Sequence, residues 1–339
     1  MPRSLVPKSL LRAGVLGASI AGLALPAHGD DHKLTIYTYD SFASEWGPGP
    51  VVEKAFEASC GCDLEFVALD SSIGILGRVQ IEGESSAADI VLGLDTNLMA
   101  VAEETGLFQP HGVEVGELDL PIDWADPMFL PFDWGHFAFV YREEQLAEPP
   151  GSMAELLALP EDVRIVIQDP RSATPGLGLL LWMKSIYGDE AADAWKRLAP
   201  KIMTVTKGWW DAYSLFLEGE ADMVLSYSTS PAYHMITEDR HDIRAAGFSE
   251  GHYLQVEIAA VLKNAPHPER AKEFMAFMLS PAFQDAIPTT NWMMPAKGKA
   301  LPPEFDRLVK PATTLSIPPA EVKAERKAWT DEWLEALGR

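Results

Sequence analysis

Small and hydroxyl-bearing residues occupy three junctions at which a predicted strand is followed by a predicted helix. In chain order they are Ser71 and Ser72, then Ala173 and Thr174, then Ser228, Thr229 and Ser230. The first N–H groups of a helix have no partner within it and carry the positive end of the helix dipole, so each junction could bind an anion. Any one of them alone is more often an ordinary helix cap. Three that converge would form a cradle for an anion such as a phosphate.

Aromatic residues lie close to these junctions, at strand ends and in loops. They are Tyr39, Trp46, Trp209, Tyr227, Tyr233 and Trp292. Rings in such positions can stack on a flat ligand or contact a cation, each contact being worth about 0.5–2 kcal/mol. The alternative is packing inside a lobe, which is the interpretation we favour for Trp182, Trp195 and Trp210.

No set of residues with catalytic or metal-binding spacing stands out. The eight histidines are scattered, and neither G-x-x-x-x-G-K-[ST] nor a strand-placed G-x-G-x-x-G is present. Cys60 and Cys62 form a C-x-C motif without the second ligand pair of a zinc site or a basic partner for a nucleophile. A disulfide between them and two unpaired thiols are both open interpretations. We therefore expect a binding protein, not an enzyme, with no cofactor and no metal.

Alternating strands and helices position the three junctions. Strands are predicted at 33–39, 63–69 and 88–94, with helices at 50–59, 71–83 and 97–106 between and after them. This alternation favours a mostly parallel sheet flanked by helices, whose ligands bind beyond the carboxyl ends of the strands.

Two long strands interrupt the alternation, which restarts between them. They are predicted at 131–142 and 252–264, and the later helices at 174–188, capped by Thr174, at 267–287 and at 319–338. The last is amphipathic, with Val322, Trp329, Trp333 and Leu337 on roughly one face. Two crossing strands predict two similar α/β lobes joined by a hinge.

The first 29 residues read as a secretory signal. Arg3, Lys8 and Arg12 precede the apolar run 13–25, and Ala27 and Gly29 suit cleavage before Asp30. Removing these three basic residues changes the formal charge from −23 to −26. So acidic a surface argues against nucleic acid as a partner, and we expect an exported, periplasmic protein.

Seven segments together resemble a known family. They are YTYDSFASEWGPGPVV, ADIVLGLD, QDPRSATPGLGLLLWM, TVTKGW, MVLSYSTSPAYH, FSEGHYLQVE and AIPTTNWMMPA. In order and length they are similar to the periplasmic thiamine-binding proteins of bacterial ABC importers, and the likeness runs from about Leu34 to Trp333. The resemblance implies a two-lobed type II periplasmic binding protein. The predicted lobes are 30–130 plus about 257–315 and 131–256, with the C-terminal helix at 316–339.

The resemblance also implies the ligand and its contacts. The ligands would be thiamine and its mono- and diphosphate, delivered by a monomer to an inner-membrane permease and its ATPase subunit. Tyr39, Tyr227, Tyr233 and Trp292 would surround the rings, and Ser228, Thr229 and Ser230 would line the same cleft. The phosphate end would meet Ser71, Ser72, Ala173, Thr174 and Trp209.

The chain departs from the family pattern at two of these positions. The family often has an acidic residue and a glycine where this chain has Ser71 and Ser72, and a Ser-Thr pair where it has Ala173 and Thr174. Backbone donors survive both changes. Two alternatives remain: a ferric-iron binder using Tyr227 and Tyr233, and a thiamine-degrading transferase of similar fold with a cysteine nucleophile.

Overall fold

A computed structural model describes residues 32–298 and 301–338. The predicted signal, 1–29, and the expected start near Asp30 lie outside the described residues. The strands are β1 Lys33–Tyr39, β2 Asp63–Leu69, β3 Ile90–Asp95, β4 Phe108–Gln109, β5 Phe129–Arg142, β6 Ile165–Gln168, β7 Ile202–Thr206, β8 Met223–Tyr227, β9 Ile243–Ala245, β10 His252–Leu262, β11 Met294–Pro295 and β12 Thr314–Leu315.

Helices alternate with these strands. They are α1 Asp40–Ala43, α2 Gly49–Cys60, α3 Ser72–Glu82, α4 Met99–Glu104, α5 Met153–Ala158, α6 Thr174–Tyr187, α7 Ala191–Leu198, α8 Trp209–Leu217, α9 Pro231–Thr237, α10 Pro268–Phe277, α11 Pro281–Gln284, α12 Ile287–Thr290 and α13 Pro319–Ala336. Within residues 32–298 and 301–338, none has the length and apolar character needed to cross a bilayer.

Two halves of one sheet meet at the long strands β5 and β10. The strand order is β2-β1-β3-β10-β5-β8-β6-β7. Strands β1, β2 and β3 pair in parallel on one side, and β6, β7 and β8 do so on the other. Strands β5 and β10 run antiparallel to each other. This is the expected two-lobed α/β architecture, in which the first half of β5 pairs with β10 and its second half with β8.

One apolar core runs through both halves, and each half also has a smaller core of its own. Phe42, Phe56, Phe132 and Phe274 are buried among the helices of the first half. In the second half, the backbone of α6 approaches β5 closely because Gly178 has no side chain: a Cβ there would overlap the ring of Phe137. A close approach of helix and strand therefore fixes where α6 begins, and with it one of the predicted junctions.

Two predicted helix boundaries need correction. The helix predicted at 267–287 is divided into α10, α11 and α12, because Pro281 has no N–H to continue α10 and instead begins α11. Thr174 is not the cap of α6 but its first residue. The cap is Ala173, which has extended backbone and no side-chain hydrogen bond.

The C-terminal helix α13 joins elements of both halves. It packs against α4 beside the first half and against α6 and α7 beside the second. Lys323 pairs with Glu104 of α4 at 2.8 Å, and Glu332 pairs with Lys184 of α6 at 3.2 Å. A helix is confirmed at Pro319–Ala336, and of its predicted apolar face Val322 and Trp333 are buried while Trp329 and Leu337 are partly buried. The residue limits of the lobes stay a prediction.

Candidate functional site

A cavity of ≈ 560 Å³ lies between the two sheet halves, where several strands end and helices begin. This volume is within the range of about 300–1,000 Å³ typical of small-molecule sites. Five of its lining residues belong to the predicted junctions: Ser71, Ser72, Ala173, Thr174 and Ser230. The three helix starts that these residues mark, of α3, α6 and α9, therefore do face one cavity.

Hydrogen bonds connect the first two junctions across the cavity. Ser71 caps α3 by accepting the Gly74 N–H at 3.2 Å, and its hydroxyl donates to the Ser172 carbonyl oxygen at 2.5 Å. The Thr174 hydroxyl donates to Ser72 Oγ at 2.9 Å. Loops from opposite halves of the sheet thus contact each other directly beside the starts of α3 and α6.

The third junction only partly meets expectation. Ser230 lines the cavity, but its hydroxyl bonds to Ser226 Oγ at 2.7 Å and accepts the Tyr227 N–H at 3.2 Å. The expectation that Ser228 and Thr229 line the cleft is corrected, because neither is on the cavity wall. The Ser228 N–H donates to the His136 carbonyl, which turns this loop away from the cavity, and both side chains are buried.

The other five predicted contacts are aromatic, and all of them line the cavity: Tyr39, Trp209, Tyr227, Tyr233 and Trp292. Trp209 begins α8, so a fourth helix start also faces the cavity. The ring of Tyr39 lies over Gly93, where a Cβ would overlap it. These rings form walls of the kind that flat or cationic ligands contact.

Trp292 reaches the cavity through an unusual backbone conformation. It follows α12 with φ 57°, and its N–H donates to the Ile287 carbonyl at 3.0 Å. Glycine is the usual residue at this left-handed position after a helix. The Trp292 ring meets Tyr233 edge-on, with centroids 5.2 Å apart. Strained backbone that places a side chain in a cavity is typical of functional positions.

Two more tryptophans lie at the cavity mouth. Trp46 and Trp210 come from opposite halves, their ring centroids are 5.5 Å apart, and they are 49% and 47% exposed. The expectation that Trp210 packs inside a lobe is therefore wrong. For Trp182 and Trp195, which are fully buried, it is confirmed.

Two buried carboxyl groups were missed in the sequence, and one of them lines the part of the cavity that we call its floor, together with Tyr39 and Asn291. Glu257 of β10 lies on the wall, and Asp133 of β5 is directly opposite it in the strand register. The Tyr39 hydroxyl donates to Glu257 Oε2 at 2.8 Å. Asn291 Nδ2 donates to Asp133 Oδ2 at 2.6 Å and to Glu257 Oε2 at 3.2 Å.

Burial and mutual repulsion govern the protonation of this pair. Burial raises the pKa of Asp133 well above its usual range, and the neighbouring Glu257 carboxylate raises it further. Burial also raises the pKa of Glu257. Two carboxylates this close cannot both ionise easily without a cation. The sequence signal for this pair was an acidic residue within each of the two long apolar strands. The pairing of the two residues, however, is set by tertiary structure.

Further carboxylates stand at the cavity mouth. Asp40, Asp70 and Asp211 line it, and Lys207 forms an ion pair with Asp70. Burial raises the pKa of Asp40, and the charges of Asp70 and Asp211 raise it further. Among the described residues that line the cavity, none is basic. The cavity therefore favours a cation, while the starts of α3, α6 and α8 offer N–H donors to an anionic group.

The cysteines lie away from this cavity. Cys60 and Cys62 are joined by a disulfide at the end of α2, so the structure shows the paired form of the two interpretations. Neither belongs to the cavity wall. A cysteine nucleophile, as the transferase alternative requires, is therefore not placed at the site.

Comparisons with known proteins agree with this geometry. A family model described as bacterial extracellular solute-binding protein matches residues 48–285. The chain is 56% identical to the thiamine-binding periplasmic protein of Escherichia coli (strain K12), with 90% of this chain and 94% of that protein covered. For the Haemophilus influenzae protein of the same name, identity is 43% and coverage is 97% and 99%.

Solved structures give the same picture. A periplasmic thiamin binding protein superposes with a TM-score of 0.89 at 55% identity, covering 91% of this chain and 96% of that one. The apo ferric ion-binding protein A of Pasteurella haemolytica superposes with a TM-score of 0.74 at 16% identity, covering 90% and 98%. The second likeness shows a shared fold alone.

Proposed function

This chain belongs to the bacterial extracellular solute-binding proteins, and we propose that it captures thiamine, thiamine monophosphate and thiamine diphosphate in the periplasm. As a monomer it would deliver them to an inner-membrane ABC permease and its ATPase subunit. The relatives are named for binding in the periplasm, not for an enzymatic reaction.

One observation carries this proposal: the cavity has aromatic walls and several carboxyl groups, and no basic residue lines it within the part of the chain that the structure describes. Thiamine joins an aminopyrimidine to a permanently cationic thiazolium ring. Aromatic faces attract a ring of this charge, and carboxylates at the floor and the mouth lower its electrostatic energy. Tyr39, Tyr227, Tyr233 and Trp292 are the side chains we assign to the two rings.

The phosphate end is assigned to the helix starts at the mouth. There the first N–H groups of α3, α6 and α8 lie beside Ser71, Ser72, Ala173, Thr174 and Trp209. These donors do not depend on the side-chain departures from the family pattern. Asp70 and Asp211 stand at the same end of the cavity. Each phosphate group of a ligand would therefore accept hydrogen bonds from the helix N–H groups but be repelled by these two carboxylates.

Ligand capture would be coupled to closure of the two halves. The contacts from Ser71 to Ser172 and from Thr174 to Ser72 cross the cleft. A ligand that touches both halves binds the closed arrangement better than the open one, and this difference in affinity is what shifts the equilibrium toward closure.

The ferric-iron alternative has less support from the cavity. Burial raises the pKa of Tyr227 well above its usual range, and the charges of Glu257 and Asp95 raise it further. Its hydroxyl donates to Gln255 Oε1 at 2.8 Å. A phenolate ligand for iron is therefore costly to form at this position.

Titration calorimetry on refolded, ligand-free protein tests the proposal. The titrants are thiamine, its mono- and diphosphate, and ferric citrate, and refolding matters because a tight ligand can copurify. We expect saturable heat with the thiamine compounds and none with iron. Absence of heat with every thiamine compound overturns the proposal, and saturable heat with iron alone favours the iron binder.

A further inference from the structure

The carboxyl groups of Asp133 and Glu257 give the cavity floor a defined pattern of hydrogen-bond donors and acceptors. Asp133 and Glu257 together have four carboxyl oxygens. Among the described residues, two side chains donate hydrogen bonds to these oxygens, Tyr39 and Asn291. Asp133 Oδ1 is buried and has no hydrogen-bond partner. The floor is therefore rich in acceptors and short of donors.

Among residues 32–298 and 301–338, no cation faces this pair to let both members ionise. The charged or titratable groups around it are Tyr39 of β1, Asp95 of β3 and Tyr227 of β8, all acidic. Arg326 of α13 interacts electrostatically with Asp95, the next acid along, and donates a hydrogen bond to the Pro170 carbonyl at 3.4 Å. Because only acids surround the pair, holding one proton between Asp133 and Glu257 costs less free energy than ionising both carboxyl groups.

A carboxyl group that holds a proton presents one donor and one acceptor side by side. A 4-aminopyrimidine edge presents the complement, an amino group that donates beside a ring nitrogen that accepts. The carboxyl O–H would donate to the ring nitrogen, and its carbonyl oxygen would accept from the amino group. Recognition involves hydrogen bonds alone: no covalent bond between heavy atoms forms or breaks, and the shared proton stays within the carboxyl pair.

The position of Glu257 also fixes which end of a ligand could meet it. Glu257 bonds to Tyr39 and Asn291 in one part of the cavity wall, whereas Ser71 and Thr174 line the wall at the starts of α3 and α6. A ligand with an aminopyrimidine at one end and a phosphate at the other fits this polarity in one direction only.

We propose that Glu257, positioned by Asp133 and Asn291, recognises the aminopyrimidine edge of the ligand and is the residue that sets its orientation. The inference rests on the proposed function, since it names the contact that selects the ligand within the same cavity. A thiamine analogue with hydrogen in place of the 4-amino group loses one of the two hydrogen bonds and leaves a buried acceptor unpaired.

Calorimetry with thiamine and this deamino analogue tests the assignment in four proteins: the parent chain, Glu257→Leu, Glu257→Gln and Glu269→Leu. The parent should prefer thiamine by about 100-fold, the order expected when a buried acceptor is left unpaired. In Glu257→Leu the preference should fall to within about 3-fold, because the polar edge is gone. In Glu257→Gln it should be restored, because the amide also presents one donor and one acceptor.

Glu269→Leu is the matched control, since it makes the same substitution at an exposed carboxylate of α10. Its preference should equal that of the parent. Circular dichroism of each variant checks that the fold is kept.

The outcomes separate this inference from the proposed function. If the parent binds thiamine but does not discriminate against the analogue, or if Glu257→Leu keeps the full preference, the inference is overturned while the function stands. A loss in Glu257→Gln as large as in Glu257→Leu also overturns it, because a proton-bearing carboxyl would then not be the recognition group. If the parent binds neither compound, the proposed function itself fails.

Discussion

Replacing Trp292 by glycine and, in parallel, by alanine separates the two roles of this residue, ligand contact and backbone geometry. Its φ of 57° lies in the left-handed region, which costs an L side chain roughly 1–2 kcal/mol and costs glycine little. Both substitutions remove the ring that meets Tyr233, but only glycine relieves the backbone. We expect Trp292→Gly to have a free energy of unfolding about 1 kcal/mol above that of Trp292→Ala.

The two variants should nevertheless bind thiamine equally weakly. Loss of one aromatic contact with a cation, about 0.5–2 kcal/mol, corresponds to an affinity about 3- to 30-fold below that of the parent chain. Urea unfolding followed by circular dichroism on ligand-free protein measures stability, and titration calorimetry measures affinity.

Asp239 provides a matched control for the backbone term. It also has positive φ, 52°, but is exposed and away from the cavity. Asp239→Gly should be more stable than Asp239→Ala by a similar amount, about 1 kcal/mol, with no change in thiamine affinity. If the two Trp292 variants are equally stable while the Asp239 variants differ, the strain argument is refuted. Parental affinity in both Trp292 variants would refute the assignment of this ring to the ligand.

Two further predictions concern the walls and the floor of the cavity. Tyr233→Ala should weaken thiamine binding about 3- to 30-fold with little loss of stability, because the ring is half-buried beside the cavity; calorimetry showing unchanged affinity would contradict this. Asp133→Asn should gain stability relative to the parent as pH rises from 5 to 9 in urea unfolding. Folding raises the pKa of Asp133, so Asp133 contributes fully to the parent's stability below its unfolded pKa, and this contribution is lost as pH rises through the folded pKa. An equal difference in stability between variant and parent at pH 5 and pH 9 would count against a shared proton.

Much of the fold follows from local patterns in the sequence. The strands predicted at 33–39 and 63–69 coincide with β1 and β2, because alternating or β-branched residues end there at polar or glycine-containing turns. The helix predicted at 267–287 is less accurate, since its periodicity continues through Pro281 although the backbone hydrogen bonds cannot. Local sequence patterns therefore locate helices and strands better than they locate breaks within a helix.

The candidate site was less accessible to such reasoning. Junction residues such as Ser71 and Thr174 could be found because helix starts have a local signature. Glu257 and Asp133 could not, because only the antiparallel register of β5 and β10 brings them together. Trp210 was misplaced for a related reason: its neighbour Trp46 is more than 160 positions earlier in the sequence, so no local pattern marks the pair.

The helix α13 contacts helices that flank both halves of the sheet. It is fastened by ion pairs to α4 beside one half of the sheet and to α6 beside the other. If α13 keeps these contacts, the halves would part by rotating about an axis near α13, and the displacement of each atom would grow with its distance from that axis. The outer margin with Trp46 and Trp210 would then sweep the widest arc. A bound molecule would be exposed to solvent first at its mouth end, and released last from the floor.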